Sequence, residues 1–151
     1  MSEAGPVDPL ALETQFCFAV TLTSRSIVAA YRPVLEPLGL THPQYLVMLA
    51  LWEDAPLSVK ALSARLQLDP GTVSPLVKRL EAIGYVERRR DEKDERVLAI
   101  ALTPAGAALR HEAEAVPGQM LERLGMDMEE LQALQRSLMK VSAAARAAGG
   151  I

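Results

Sequence analysis

Between residues 10 and 31, apolar side chains recur at Phe16, Ala19, Val20, Ile27 and Ala30 with polar residues between them, the spacing of one long helix. Arg32-Pro33 is expected to end or kink it, because proline cannot donate to the helix ladder. Leu38-Gly39-Leu40-Thr41 reads as a loop and cap. Pro43 then suits the first turn of a second, very apolar helix through Trp52, which is expected to be central. Ser58 suits the N-cap of a short helix with Val59, Leu62 and Leu66 on one face. Asp69-Pro70 repeats the signal, an acid cap followed by proline at the first helical position, and opens a helix to about Ile83. Within it Val73, Leu76, Val77 and Leu80 follow the i, i+3, i+4, i+7 rule and face a core, and Gly84 stops it.

The run from Tyr85 to Arg90, the charged turn Asp91-Glu92-Lys93-Asp94-Glu95, and the run from Arg96 to Leu102 predict two short strands around a polar tip. Thr103-Pro104 caps another helix, interrupted at Pro117-Gly118, and a last amphipathic helix covers roughly residues 127–147. Two short helices joined by Gln67-Leu68-Asp69 and followed at once by a charged hairpin are the order of a winged helix-turn-helix. The fold class is therefore mainly α with a small β-hairpin wing. A single domain is expected over residues 1–151, with the winged region at 55–103 and amphipathic helices at 8–35 and 104–148.

With Val73, Leu76, Val77 and Leu80 facing inward, 100° per residue turns Gly71, Ser74, Pro75 and Lys78 outward, flanked by Thr72 and Arg79. Gly71 and Pro75 are small enough for close approach to a groove. Thr72 and Ser74 offer hydroxyls, and Lys78 and Arg79 offer charge to phosphates or base edges. Arg88 adds charge on the first strand, and the hairpin tip would carry Lys93 and Arg96 to a neighbouring minor groove. The formal net charge of −3 does not oppose this once it is resolved along the chain. Residues 60–96 hold nine basic against seven acidic side chains, a local +2 within a frame of −5. A helical DNA reader of this size gains affinity and specificity from two half-sites, so the amphipathic helices at both ends are expected to pack against a second copy.

Cys17 is the only cysteine. Intramolecular disulfides and cysteine-rich metal sites are excluded, and the thiol is either a small buried hydrophobe or a redox-reactive group. Between Phe16 and Phe18 it would ordinarily be inert, and reactivity needs hydrogen-bond donors or positive charge nearby. A lone thiol and a polar, proline-containing start at residues 1–9 suggest a reducing, cytoplasmic setting. The longest apolar run, residues 45–52, is too short to span a bilayer. No cofactor or metal is expected.

Three segments resemble the MarR family of dimeric winged-helix repressors: residues 68–81 (Leu68-Asp69-Pro70-Gly71-Thr72-Val73 through Glu81), Asp94-Glu95-Arg96 leading to Leu102-Thr103, and Thr41-His42-Pro43-Gln44-Tyr45-Leu46-Val47. Gln15-Phe16-Cys17-Phe18-Ala19, Ser24-Arg25, Tyr31-Arg32-Pro33 and Pro117-Gly118 narrow the resemblance to its organic hydroperoxide branch, the OhrR regulators, over about residues 10–145. The resemblance implies a homodimeric repressor of double-stranded operator DNA whose thiolate is oxidised by an organic hydroperoxide, after which the dimer rearranges and releases DNA. Cys17 matches the sensing position, in the one-cysteine form of the branch. Tyr31 matches one of the tyrosines that hold the thiolate, partly across the dimer, while Thr21 and His42 stand where two others are commonly found.

His42 could donate a ring N–H or carry charge toward the sulfur, and Thr21, one turn from Cys17, could instead bond its own helix backbone. With no second cysteine, a sulfenic acid would have to meet a low-molecular-weight thiol, a backbone nitrogen or further oxidant. Two other readings remain open. One keeps the DNA-binding module but releases it with a small aromatic or lipophilic ligand. The other is a thiol peroxidase built on Cys17 and His42, which lacks evident oxyanion donors.

Overall fold

In a computed structural model the chain is described over residues 5–6 and 8–149. Residues 1–4 and 7 of the polar start, and residues 150–151 of the domain expected over the full chain, lie outside the described residues. The first long helix begins later than its periodicity suggests. Residues Leu12–Thr14 form a 3-10 turn, Gln15 takes extended angles, and helix α1 spans Phe16–Leu35. Gln15 Nε2 donates to the carbonyls of Pro9 (2.8 Å) and Ala11 (3.1 Å), which ties the incoming segment to the helix start. Pro33 does not end α1. It sits in the last turn, where one hydrogen bond is forfeited, and burial of Val34 and Leu35 carries the helix past it.

Thr41 caps helix α2, His42–Asp54, in a reciprocal box: Gln44 N–H donates to Thr41 Oγ1 (3.4 Å) and Thr41 N–H to Gln44 Oε1 (3.0 Å). Gln44, Tyr45, Val47, Met48, Ala50 and Leu51 are all buried, so α2 is covered on most of its circumference, as its composition suggests. After it come strand β1 (Leu57–Ser58), helix α3 (Val59–Leu66) and helix α4 (Pro70–Ile83). Ser58 and Asp69 are the caps of α3 and α4, each accepting from a backbone N–H three residues on. The turn between the two helices places Gln67 in the left-handed region at φ 55°.

Strands β2 (Val86–Arg90) and β3 (Leu98–Leu102) form the wing, but the sheet has three strands, in the order β1-β3-β2, all antiparallel. Leu57 pairs with Ile100 and Arg88 lies opposite the same residue on the other side. Val73, Val77 and Leu80 of α4 and Leu62 of α3 are fully enclosed with Leu35, Met48, Leu51 and Ile100, which locks the helix-turn-helix to the sheet and to α2. Leu76 is half-buried at the edge of that core.

Helices α5 (Pro104–Ala113), α6 (Val116–Leu124) and α7 (Met128–Ala147) complete the chain. The interruption expected at Pro117-Gly118 falls earlier, at Glu114 and Ala115. Proline is tolerated in the first turn of a helix, so Pro117 starts α6 rather than breaking α5, and buried Val116 anchors that start. The wing root joins the helices through Gly106, whose backbone lies so close to Tyr85 that a Cβ there would sit 1.9 Å from the Tyr85 carbonyl oxygen. Trp52 Nε1 donates to the Gly106 carbonyl at 2.9 Å.

Two long helices are under-buried. Val34 and Leu35 are the only buried residues of α1, and α7 has none, among the described residues. Apolar Phe16, Val20, Leu22 and Val28 on α1, and Leu134, Leu138 and Met139 on α7, face solvent.

Candidate functional site

Helix α4 turns its outer face to solvent as its periodicity predicts. Gly71, Thr72, Pro75, Lys78 and Arg79 are exposed, and Ser74 is half-buried. With Glu81 and Arg88, four of these residues line a shallow cleft between α4 and β2. Arg88 Nε lies 3.8 Å from Glu81 Oε1, so this cation leans back on α4. An exposed pair of this kind adds little stability but orients the guanidinium.

Two acids of the hairpin tip, Asp91 and Asp94, build its turn. Asp91 Oδ1 accepts from the backbone N–H of Lys93 (2.7 Å) and of Asp94 (3.3 Å), and Asp94 Oδ1 accepts from the N–H of Arg96 (3.1 Å). Arg96 Nε meets the same oxygen at 3.2 Å, and Arg90 Nη1 donates to the Glu95 carbonyl at 2.8 Å. Lys93 and Arg96 are both exposed, Arg96 with 91% of its side chain. Sequence reasoning counted these acids as opposing charge. An aspartate two or three residues before the N–H it accepts from was the available signal.

Thr72 does not offer a free hydroxyl. Its Oγ1–H donates to Asp69 Oδ2 at 2.8 Å and its N–H donates to Asp69 Oδ1 at 3.1 Å. These two bonds hold the Asp69 carboxyl below its ordinary 3.8.

The residues nominated around the thiol divide into two places. Cys17 is exposed near the start of α1, and Thr21 Oγ1 donates to the Cys17 backbone carbonyl at 2.8 Å, not to sulfur. Tyr31 is far along the same helix, about 21 Å away at 1.5 Å per residue. There it meets His42, with ring centroids 5.1 Å apart, and Tyr45 at 5.9 Å. Tyr45 was not singled out from the sequence, although it lies three residues after His42 and therefore on the same helix face. Burial pushes the Tyr31 phenol up and the His42 imidazole down from their ordinary values. Tyr45 is pushed up by burial and then by its neighbour Tyr31. With His42 beside Tyr31, Cys17 and His42 form no nucleophile–base pair within one chain.

A cleft of about 300 Å³, almost wholly apolar, runs between α1, α6 and α7 from Thr23 and Ile27 past Tyr31 to Leu134 and Leu138. Among the described residues no group of three or more side chains is placed to hold a metal ion, and no helix is long and apolar enough to cross a membrane.

A family model described as the MarR family matches residues 40–98, from the start of α2 to the wing. The chain is 46% identical over 138 residues to the HTH-type transcriptional regulator TtmR of Methylorubrum extorquens (strain PA1), covering 91% of this chain and 71% of TtmR. It is 41% identical over 131 residues to the organic hydroperoxide resistance transcriptional regulator of Bacillus subtilis (strain 168), covering 87% and 89%. Among solved structures it is similar to reduced AbfR of Staphylococcus epidermidis bound to DNA, with a TM-score of 0.72, 30% identity, and coverage of 88% of this chain and 93% of that one. A reading helix packed on a wing, in a chain this similar to regulators over nearly its whole length, leaves one assignment: the chain belongs to the MarR family of winged-helix transcriptional regulators.

Proposed function

We propose that the protein is a homodimeric repressor that leaves its operator when an organic hydroperoxide oxidises Cys17. The observation that carries this reading is the exposed thiol of Cys17 on helix α1 of a chain 41% identical to an organic hydroperoxide resistance regulator, with the Tyr31–His42–Tyr45 cluster about 21 Å farther along that helix. A thiolate held by Tyr31 has to come from a second copy, and α1 and α7 leave the apolar faces on which a second copy would pack. A regulator named for organic hydroperoxide resistance supports the choice of oxidant. Thr72, Ser74, Pro75, Lys78 and Arg79 of α4 would face the major groove, with Arg88, Lys93 and Arg96 on the flanking backbone and minor groove.

The chemistry balances without a cofactor. The Cys17 thiolate attacks the distal oxygen of the hydroperoxide, the O–O bond breaks, the alcohol leaves after taking a proton, and sulfur becomes a sulfenic acid. A low-molecular-weight thiol then displaces water from that sulfur to give a mixed disulfide. Added bulk at an inter-subunit site would bias two dimer arrangements, one of which no longer matches both half-sites. Acting on chromosomal DNA, such a regulator works in the cytoplasm.

The test is operator binding by wild type and Cys17→Ser with and without cumene hydroperoxide. The reading expects release of wild type alone. Equal release of both proteins would turn attention to the second reading, a small apolar ligand in the cleft beneath Tyr31, which the apolar lining of that cleft favours.

A further inference from the structure

The peptide that joins Glu95 to Arg96 is held at both of its polar ends. Its N–H, which belongs to Arg96, donates to Asp94 Oδ1 at 3.1 Å, and its carbonyl, which belongs to Glu95, accepts from Arg90 Nη1 at 2.8 Å. A peptide is a rigid plane. Pinning two edges of it, with Arg96 Nε also on Asp94 Oδ1 at 3.2 Å, fixes the direction in which the Arg96 side chain leaves the turn and keeps its terminal nitrogens unclaimed among the described residues. The peptide before Lys93 has only its N–H held, by Asp91 Oδ1 at 2.7 Å. The two grips on Arg96 differ in origin. Asp94 lies two residues before the N–H it accepts from, so its bond belongs to the turn itself. Arg90 is the last residue of β2, opposite Leu98, and among the described residues it is the one side chain outside the loop 91–97 that donates into it. Asp91 and Glu92 line the same cleft as Arg90, yet its guanidinium spans to a neutral carbonyl and forms no ion pair among the described residues.

We infer that Arg90 is a positioning residue for DNA recognition: by holding the Glu95 carbonyl it aims Arg96 at the minor groove before DNA arrives. The inference rests on Arg96 being the minor-groove contact of the proposed repressor. Without this grip the Glu95–Arg96 peptide is held only from its N–H side, and the tip has to be ordered at the moment of binding, which subtracts from affinity. Arg90 acts through Arg96 and makes no DNA contact of its own. Its charge adds to the field of the wing wherever the side chain points, whereas its reach to the Glu95 carbonyl matters only if Arg96 is in use.

Arg90→Lys separates charge from reach. It keeps the positive charge, but its ammonium ends short of the position of the guanidinium nitrogens and lacks their planar fork, so the Glu95 carbonyl loses its donor. The experiment uses the full chain and a duplex that wild type enriches from a random pool. Arg90→Lys is expected to bind this duplex roughly five- to tenfold more weakly, with an unchanged salt slope because no phosphate contact is lost. On an Arg96→Ala background the same substitution should weaken binding no further, while on a Lys78→Ala background its full effect should remain, since only residues that act together depart from additivity. Its urea midpoint should match that of wild type, as Arg90 and Glu95 are both exposed. The inference is overturned if Arg90→Lys binds as wild type does, which leaves Arg90 its charge alone, or if its effect is as large on Arg96→Ala as on wild type. A salt slope smaller by about one, the mark of a phosphate contact of its own, overturns it too. Enrichment of no sequence by wild type overturns the DNA-binding reading itself, and wild-type affinity of Arg96→Ala overturns the minor-groove role of Arg96; either result takes this inference with it.

Discussion

The hydroxyl of Tyr85, at the entry to the wing, donates to the backbone carbonyl of Leu38, at the junction between α1 and α2, over 2.8 Å. One bond thus joins the DNA-reading part of the chain to the loop that leads into His42. Tyr85→Phe removes the donor and leaves the Leu38 carbonyl without it, at a cost of about 1 kcal/mol in urea unfolding. The ring stays, so far-ultraviolet dichroism should keep its shape.

A harsher loss is expected next door. Gly106→Ala places a methyl group 1.9 Å from the Tyr85 carbonyl oxygen, and both atoms belong to backbone that is pinned elsewhere. Thr103 N–H holds the same Tyr85 oxygen at 3.1 Å, and Trp52 holds the Gly106 carbonyl. Relief requires α5 to move away from the wing root, and we expect a destabilisation of about 3 kcal/mol, with a shift in Trp52 fluorescence as its indole bond breaks.

Tyr31→Phe tests the proposed partner of the thiolate without touching the proposed DNA contacts. If Tyr31 donates to the thiolate of a second copy, its loss forfeits a hydrogen bond to a charged group, about 1.5–3 kcal/mol. The rate of Cys17 oxidation, followed by mass spectrometry against cumene hydroperoxide, should fall by roughly tenfold or more at neutral pH. Operator affinity of the reduced protein should not change.

The pH dependence of folding separates two groups. Burial holds His42 below its ordinary 6.5, so the unfolded chain binds that proton more tightly. The stability linked to His42 is complete above about pH 6.5 and drains away as the pH falls toward the folded value. Thermal unfolding between about pH 7.5 and 5.5 should show a falling midpoint that His42→Asn flattens. Asp69 is also lowered, but from 3.8, so its stabilisation is present above that value and is lost as the pH falls below it. Asp69→Asn should leave the His42 window unchanged.

Lys78 and Arg79 stand exposed on the outer face of α4. Lys78→Ala and Arg79→Ala should each weaken operator binding. A residue on phosphate is recognised by a salt slope smaller by about one and equal losses on all sequences, and a residue on a base edge by a loss of about 1–3 kcal/mol confined to one pair. Fluorescence anisotropy across a salt series distinguishes the two.

The helix starts at Ser58, Asp69, Thr103 and Asp127 were legible in the sequence because a short polar side chain before an apolar run has one favourable place to put its oxygen. The β1 strand was not, since two residues carry no period and Leu57–Ser58 become a strand only because β3 lies beside them. Nor was the path of α1 through Pro33, which depends on core that the chain supplies from α2 and α4. At the candidate site, the outward face of α4 followed from helical geometry alone. The capture of the Thr72 hydroxyl, the turn-building work of Asp91 and Asp94, and the ring of Tyr45 against Tyr31 depended on side-chain directions that spacing does not give.

Helix α1 carries Cys17 on a stretch that reaches no full burial against its own chain before Val34. The first turns of α1, where Phe16 and Val20 face solvent, would in the proposed dimer take part of their order from another molecule and lose that part on dilution. Oxidant would then share control with copy number: a cell holding few molecules would lose repression by mass action, before any peroxide arrives.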